Sequence, residues 1–346
     1  MSRVDVVIPC YNYGQFLGEC VSSALSDQPG VDVRVLIIDD ASQDDSAEIA
    51  HKLAAPDDRI EVRVHPVNRG HIATFNEGLL DWADGDYCVL ISADDRLAPG
   101  ALRRAADLMD AHPEVGFVYG NPVPFRDGEE PPRARTQSRG QCIWPGGWWL
   151  ERRFREARNC IFSPEVVVRT ALQHRVGGYD PDLYHTSDLE MWMRLAAYSD
   201  VAYIRADQAY YRTHDSNMSL ELNNRLVRLG QVRRAFEALL RHCEQVLPNA
   251  AELSAMVHRQ LAREALWQAL RAYDRRRTDE VLEDELIAFA ADCWPAAARL
   301  GMYRSLQLRQ RIGPTVMPFL QPLIWSAVAR HARDRWAWHR RLRRGI

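Results

Sequence analysis

Residues 87–95 read YCVLISADD, an apolar run that ends in the adjacent carboxylates Asp94 and Asp95. The run is too short for a helix of its own and too apolar for a surface loop, so it predicts a buried strand of an α/β sheet. The C-terminal end of such a strand faces the crevice in which open α/β sheets bind ligands. The sequence therefore predicts that both carboxylates lie in a ligand crevice.

Two neighbouring carboxylates repel each other unless a positive group lies beside them. A divalent cation with oxygen ligands, which commonly carries phosphates, is a natural partner for Asp94 and Asp95. Asp is also a favoured turn residue, so a turn with two solvated acids explains this stretch equally well.

Three short strands are predicted before this one, at 4–9, 33–38 and 60–65, and segments with helical spacing lie between them. Strands that alternate with helices predict an α/β fold, with a mostly parallel sheet and helices on both faces. The polar groups that follow these strands predict one shared crevice. The turn at 9–14 contains a single glycine, so it lacks the dinucleotide-binding fingerprint, and a P-loop is absent as well.

The pattern beyond residue 111 predicts a strand at 115–119, a long loop at 126–147 and an edge strand at 201–204. A helix start follows Thr186, with Ser187 or Thr186 as its cap and Asp188 in its first turn. Asp188 is either an acid that the helix dipole favours or a carboxylate fixed in place to act as a general base.

From about residue 220 the spacing is helical throughout, so we expect two domains, at 1–220 and 221–346. The second is predicted to be all-helical, with a basic amphipathic tail from about 301. Residues 301–346 contain ten Arg and one Asp, and 317–338 interleave Arg with Trp and aliphatic residues. Such a helix can lie on an anionic membrane surface, or it can pack on its own domain or a partner subunit.

Composition restricts the class of protein. A net charge of −3 gives no basic footprint for nucleic acid. No apolar run approaches the roughly 20 residues of a membrane span. The seven Cys include no Cys-x-x-Cys pair, and the N-terminus lacks a signal-peptide pattern. We expect a cytoplasmic protein that binds no nucleic acid and whose C-terminal helix is a candidate for contact with the inner face of the membrane.

Seven motifs, taken in chain order, resemble those of the family-2 glycosyltransferases of the GT-A fold, and together they cover about residues 3–220. They are VVIPCYN at 6–12, IIDDAS at 37–42, Asn68-Arg69-Gly70 with Asn76, SADD at 92–95, GGYD at 177–180, Ser187-Asp188 before WMRLA at 192–196, and YRTH at 211–214. The resemblance implies a Rossmann-like GT-A domain, a nucleotide-diphosphate sugar donor and a divalent cation, Mn²⁺ or Mg²⁺. It does not extend to the helical region.

The resemblance also implies the role of individual residues. Those that match nucleotide-sugar contacts are Pro9, Tyr11, Asn12, Asp39, Asp40, Asn68, Arg69, Ser92, Asp94 and Arg212. Asp94 and Asp95 match the metal-binding region, and His214 is either a further metal ligand or an ordinary surface or core histidine. Asp188 matches the catalytic base of inverting members. The acceptor would be a glycan, a lipid-linked molecule or a small molecule, in the synthesis of a cell-surface polysaccharide or glycoconjugate.

Two positions depart from the family pattern. Ser92 stands where the first Asp of Asp-Ala-Asp-Asp is usual, which removes one negative charge from the nucleotide site. Ser187 stands where Glu usually precedes the base. A nucleotidyltransferase is an alternative, but that class usually carries an N-terminal Gly-rich loop with Lys or Arg, which is absent here. A catalytically silent subunit that binds sugar nucleotides or serves in assembly is another, and Ser92 gives it some support.

Overall fold

The computed structural model describes residues 1–215, 217, 224–274, 280–313, 316, 332, 345 and 346. The chain divides into two compact units. One contains Met1–Leu150, Asn159–Asn217 and Gly345, and the other contains the described parts of Glu151–Arg158, Met218–Arg344 and Ile346. The predicted tail helix at 317–338 lies outside the described residues except for residue 332. The predicted division into a GT-A domain at 1–220 and a helical region at 221–346 stays a prediction.

The first part of the first unit alternates strands with helices, as predicted. Its elements are β1 (Arg3–Cys10), α1 (Gly14–Leu25), β2 (Asp32–Asp39), α2 (Ser46–Ala54), β3 (Ile60–Val64), α3 (His71–Asn76) with a π-helical turn (Glu77–Trp82), β4 (Tyr87–Leu90), β5 (Arg96–Leu97) and α4 (Ala101–Ala111). β1 pairs in parallel with β2 and β4, and β2 pairs in parallel with β3. The C-terminal ends of these four strands therefore lie at one edge of the sheet.

The rest of the unit completes a nine-stranded sheet. Its elements are β6 (Val115–Arg126), β7 (Gln141–Trp144), the first turn of α5 (Gly146–Glu156), β8 (Val167–Arg169), α6 (Thr170–Val176), α7 (Ser187–Tyr198) and β9 (Asp200–Thr213). The rest of α5, from residue 151, belongs to the other unit. The strand order is β3-β2-β1-β4-β8-β6-β9-β5, and β7 pairs with β9. β8 is antiparallel to β4 and β6, whereas β9 is parallel to β6. The α/β prediction is confirmed. The strands β1–β4 pair with one another only in parallel, and the rest of the sheet mixes parallel and antiparallel pairs.

The prediction of a short edge strand at 201–204 is wrong. β9 is 14 residues long and lies inside the sheet, paired with β6, β5 and β7. Its partner β6 contains Pro122 and Pro124, which normally argue against an interior strand. The β6–β9 pairing contains three shifts of register, one of them between Asn121 and Pro122. These shifts hide the alternating pattern in the sequence, and the same irregular region hides β7 inside the predicted loop at 126–147.

A hydrophobic core fixes the first four strands. Val6, Ile8 and Ile37 are fully buried and pack with Leu17 of α1 in one cluster. Burial of one such side chain contributes about 1.5–3 kcal/mol to folding. The strand positions are therefore set by apolar contacts, and the loops that follow the strands are left to carry polar groups.

Gly78, in the π-helical turn, approaches β1 so closely that a Cβ would collide with the side chain of Val7. Val7 is β-branched and fully buried, so it has little room to move. We expect Gly78→Ala to lower the free energy of unfolding by about 1–3 kcal/mol, measured by urea denaturation. Gly18→Ala is the matched control, because no atom lies within 4 Å of its Cβ position. Equal stability of the two variants would contradict the prediction.

The second unit is helical in its described residues, which confirms the predicted helical region. Its elements are α8 (Arg225–His242), α9 (Ala250–Asp274), α10 (Glu280–Cys293), a 3₁₀ turn (Pro295–Arg299) and α11 (Gly301–Ile312). Asn224 caps α8 by accepting the backbone N–H groups of Leu226 and Val227. In the described part of the chain, no helix has the length and apolar character needed to cross a membrane. The seven Cys are free thiols.

Candidate active site

The loops after β1 and β2 hold each other at the predicted edge of the sheet. The Asn12 N–H donates to Ser42 Oγ (2.9 Å), and Asn12 Oδ1 accepts the N–H of Gln43 (2.7 Å). Asn12 and Ala41 have φ angles of 57° and 61°, in the left-handed region that few residues other than glycine adopt. Backbone strain of this kind clusters at functional sites. The predicted ligand contact Asn12 thus also joins the two loops.

Asp40 holds the loop at 68–70. Its Oδ1 accepts the Arg69 N–H (2.8 Å) and lies 2.7 Å from His65 Nδ1, and its Oδ2 accepts the Gly70 N–H (2.9 Å). Its backbone oxygen accepts from Asn68 Nδ2 (3.1 Å). Direct contact of Asp40 with a nucleotide stays a prediction. In the structure, the Asp40 carboxylate fixes the backbone position of Arg69.

The sequence interpretation missed His65 and Glu77. His65 Nε2 lies 3.1 Å from Glu77 Oε2, and Arg69 Nη1 donates to the same oxygen (2.6 Å). Burial opposes ionisation of Glu77, but contacts with His65 and Arg63 outweigh it and hold its pKa below the usual value. The structure, unlike the sequence, shows that Glu77 begins a π-helical turn, which is a feature frequent at functional sites.

Asp39 has an unsatisfied oxygen. It is 1% exposed; its Oδ2 accepts the Ser42 N–H (3.1 Å), and its Oδ1 has no hydrogen-bond partner among the described residues. Buried polar atoms are nearly always paired, so this exception requires an explanation. Nearby, Pro9 is half-buried and Tyr11 is exposed.

Asp94 and Asp95 follow β4 as predicted, and both are buried. Asp94 Oδ2 lies 3.0 Å from His214 Nε2, and Asp95 Oδ1 accepts the Arg212 N–H (2.9 Å). The end of β9 therefore meets the end of β4. Burial raises the pKa of both carboxyls, and the negative charge of Asp94 raises that of Asp95 further.

The guanidinium of Arg212 lies between the rings of Phe16 and Phe125, at 4.6 and 4.7 Å from their centroids. Its Nε donates to the backbone oxygen of Asp94 (2.9 Å). Its Nη1 donates to Asp127 (2.7 Å) and its Nη2 to Glu19. Each nitrogen of the guanidinium already has a protein partner, so Arg212 supports the Asp94 loop. Its predicted contact with a diphosphate stays a prediction.

Asp94 and Asp95 would provide the oxygen ligands for the implied cation. Within the described residues, no group of three or more His, Cys, Asp or Glu is arranged to hold a metal ion. Two buried carboxylates of raised pKa do fit Mg²⁺ or Mn²⁺, since such ions use one or two carboxylates and take other ligands from substrate phosphates. His214 lies against the rings of Tyr13 and Phe16. Ser92 is exposed, and its backbone oxygen accepts the Asp95 N–H (3.0 Å).

Asp188 lies in the first turn of α7, as predicted. Its Oδ2 accepts from Asn159 Nδ2 and from Ser163 Oγ, both at 3.0 Å, and its Oδ1 accepts the Leu189 N–H (2.7 Å). Burial raises the pKa of Asp188 above its usual value, although these hydrogen bonds act in the opposite direction. A carboxylate with a raised pKa suits a general base.

Glu165 links Asp188 to the carboxylate pair. Burial raises the pKa of Glu165 to about 7, and the negative charge of Asp188 adds to the shift. The charge of Glu165 in turn helps to raise the pKa of Asp95. In the same loop, Phe162 packs edge-on against Tyr211 of β9, with ring centroids 5.4 Å apart. The loop at 159–165 therefore lies between α7 and the end of β9. The sequence interpretation missed it, since polar loop residues there carried no recognised motif.

Comparison with known proteins gives a family for the N-terminal half of the chain. Residues 5–171 match the model of glycosyl transferase family 2. The chain is 29% identical over 225 residues to an uncharacterized protein of Mycobacterium tuberculosis, covering 58% of this chain and 64% of that protein. It is 24% identical over 360 residues to the uncharacterized glycosyltransferase YibD of Escherichia coli, covering 99% and 97%. The chain thus spans a little under two thirds of the first relative and nearly all of the second.

Solved structures give the fold. S. aureus TarS 1–349 in complex with UDP-GlcNAc matches with a TM-score of 0.64 and 16% identity, over 94% of this chain and 92% of that chain. The mannosyltransferase PcManGT of Pyrobaculum calidifontis, in complex with GDP-Man and Mn²⁺, matches with a TM-score of 0.52 and 18% identity, over 96% and 88%. At these identities the likeness concerns the fold alone. This chain therefore has the GT-A fold, and its residues 5–171 carry a family-2 glycosyltransferase domain.

Proposed function

We propose that the chain transfers a sugar from a nucleotide-diphosphate sugar to an acceptor hydroxyl with inversion at the anomeric carbon. The observation that carries this proposal is Asp188, a carboxylate of raised pKa that is held by Asn159 and Ser163. Its electrostatic link to Asp95 through Glu165 supports one shared site. TarS with UDP-GlcNAc and PcManGT with GDP-Man support a nucleotide sugar as the donor.

The nucleotide would bind against the loops after β1 and β2. Asp39 Oδ1 is an acceptor without a donor among the described residues, and a base N–H or a ribose hydroxyl would satisfy it. Tyr11 is 45% exposed and offers an aromatic face for stacking. Arg69 is anchored by Glu77 and lies where the family resemblance implies a nucleotide contact. The remaining proposed contacts are Pro9, Asn12, Asp40, Asn68, Ser92, Asp94 and Arg212.

A divalent cation, Mn²⁺ or Mg²⁺, would be held by Asp94 and Asp95, with His214 as a further ligand. When bound, it would stabilise the negative charge that develops on the departing diphosphate. The protein's own contribution is to fix the two carboxylates. The Arg212 N–H binds Asp95 Oδ1, and Arg212 Nε binds the backbone oxygen of Asp94.

Asp188 would take the proton of the acceptor hydroxyl while that oxygen attacks the anomeric carbon. The new glycosidic C–O bond forms on one face of the sugar, and the C–O bond to the diphosphate breaks on the other. A single displacement of this kind inverts the configuration and needs no covalent intermediate. Burial keeps the proton affinity of Asp188 above that of a solvated Asp, which favours the proton transfer.

We propose that the product belongs to a cell-surface polysaccharide or glycoconjugate, with a glycan, lipid-linked or small-molecule acceptor. The tail helix proposed for contact with the inner membrane face falls on 317–338, outside the described residues apart from residue 332.

A thermal-shift screen of UDP-, GDP- and dTDP-sugars, with and without Mn²⁺, tests the donor proposal. Binding to the folded state alone adds about 2.7 kcal/mol of stability at a ligand concentration 100 times Kd. We expect one nucleotide class to raise Tm, and to do so more strongly with Mn²⁺. Release of free sugar from that donor would exclude a silent subunit, and NMR of the anomeric proton in the transfer product would test inversion. Absence of any Tm shift across the screen would contradict the proposal.

A further inference from the structure

Glu165 is a buried acid to which the proposed reaction assigns no role. It is 2% exposed, and its Oε1 accepts the Phe162 N–H (2.8 Å). Its Oε2 is buried and has no hydrogen-bond partner among the described residues. Burial of a carboxyl with an unsatisfied oxygen costs free energy of folding. A functional role for Glu165 would explain why the protein bears this cost.

The loop that Glu165 closes is the one that binds Asp188. Asn159 Nδ2 and Ser163 Oγ both donate to Asp188 Oδ2, at 3.0 Å. Ser163 has a φ of 94°, a conformation that residues with side chains rarely adopt. Such strain persists only where neighbouring contacts enforce it. The bond from the Phe162 N–H to Glu165 lies directly beside Ser163 and is one of those contacts.

Glu165 also brings a second carboxyl into the electrostatic environment of Asp188. The family pattern usually has an acidic neighbour before the base, at position 187, where this chain has Ser187. The fold supplies one from a different loop, since the charge of Asp188 contributes to the raised pKa of Glu165. Two interacting acids influence each other's proton affinity reciprocally.

We propose that Glu165 is a positioning residue for Asp188. Its carboxylate binds the Phe162 amide, which fixes the Ser163 hydroxyl and the Asn159 amide on Asp188 Oδ2. Because Asp188 Oδ2 is held by these two donors, the carboxylate keeps a single orientation toward the acceptor hydroxyl. This inference rests on the proposed role of Asp188 as the base.

The test compares Glu165→Gln with Glu165→Ala in the full chain. Glutamine retains an oxygen that can accept the Phe162 N–H, whereas alanine does not. With UDP-GlcNAc or GDP-mannose and Mn²⁺, we expect Glu165→Ala to lower kcat by about 10- to 100-fold, as misplacement of a reacting group does, with KM for the donor within about twofold. We expect Glu165→Gln to retain kcat within about threefold of the wild type, because the hydrogen bond survives.

Amide hydrogen exchange of 159–165 gives a readout that is independent of activity. We expect exchange at Phe162 and Ser163 to accelerate about tenfold in Glu165→Ala and to stay unchanged in Glu165→Gln, because local opening governs exchange. Asp5→Asn is the matched control. Asp5 is also buried and accepts two backbone N–H groups, those of Asp84 and Gly85, but it lies at the opposite end of β1. It should leave kcat and the exchange of this loop unchanged.

Wild-type kcat in Glu165→Ala, or a Glu165→Gln variant as slow as Glu165→Ala, would overturn the proposal. If the wild type consumes neither nucleotide sugar, the proposed function loses its support. The exchange measurement then still decides whether Glu165 holds the loop, and unchanged exchange in Glu165→Ala would overturn that part as well. The two failures are therefore distinguishable.

Discussion

Replacement of Asp188 by Asn should abolish sugar transfer while donor binding persists. The amide oxygen of the introduced asparagine can still accept the hydrogen bonds of Asn159 and Ser163, and only the bond from the Leu189 N–H is lost, so the loop contacts should survive. The amide cannot take a proton at neutral pH, which removes general-base catalysis worth about 10²- to 10⁴-fold in rate. Release of nucleotide diphosphate in the presence of acceptor measures the rate, and the Tm shift with donor measures binding.

The pH dependence gives a second check on Asp188. The base must be ionised to act, and its folded-state pKa is raised, so transfer should fall as pH drops through a value above that of an ordinary Asp. Glu48→Gln is the matched control. Glu48 also lies in the first turn of a helix, α2, but it is exposed and pairs with Lys52. Full transfer by the Asp188→Asn variant would remove Asp188 from the role of base.

The double variant Asp94→Asn, Asp95→Asn should lose both transfer and the Mn²⁺-dependent part of the Tm shift with donor. Loss of an electrostatic contact to charge that develops in the reaction typically costs about 10²- to 10³-fold in rate. The same variant should be more stable than the wild type in the absence of cation. Burial raises the pKa of both carboxyls, and the charge of Asp94 raises that of Asp95 further, so ionisation of the pair opposes folding.

A variant that loses activity while it gains stability has lost a functional group and has not lost its fold. We expect a gain of about 0.5–2 kcal/mol in urea unfolding, the range typical when an unfavourable active-site charge is removed. Glu129→Gln, Glu130→Gln is the control, since these acids are adjacent but exposed. A double variant at 94 and 95 that keeps its Mn²⁺-dependent shift would exclude these carboxylates as cation ligands.

The first four strands could be predicted because their residues carry a local signal. Each is a short apolar or alternating run, and the parallel arrangement follows from the helices between them. The placement of Asp94 and Asp95 at the C-terminal edge followed directly. β6 and β9 could not be predicted at their full length, because Pro122, Pro124 and the register shifts break the alternation. Only the pairing of two distant segments makes those residues a strand.

The candidate site divides in the same way. Asp188 was predictable from a helix start and a family motif, whereas its partners Asn159 and Ser163 lie 29 and 25 residues away in a loop without a recognised pattern. The partners of Asp40 could not be predicted from the sequence either. Its carboxylate is occupied by groups 25 to 30 residues later in the chain, so its local role emerges only when β2 and β3 are adjacent.

The environment of Arg212 has a consequence for natural variation. One guanidinium joins Glu19 of α1, Asp127 after β6 and the loop after β4, and it also fits between two aromatic rings. Lysine offers a single ammonium and cannot make this set of contacts. Loss of Glu19 or Asp127 therefore removes one of the two carboxylates that pair with the buried guanidinium, unless another position changes with it. Among homologues, positions 19, 127 and 212 should covary.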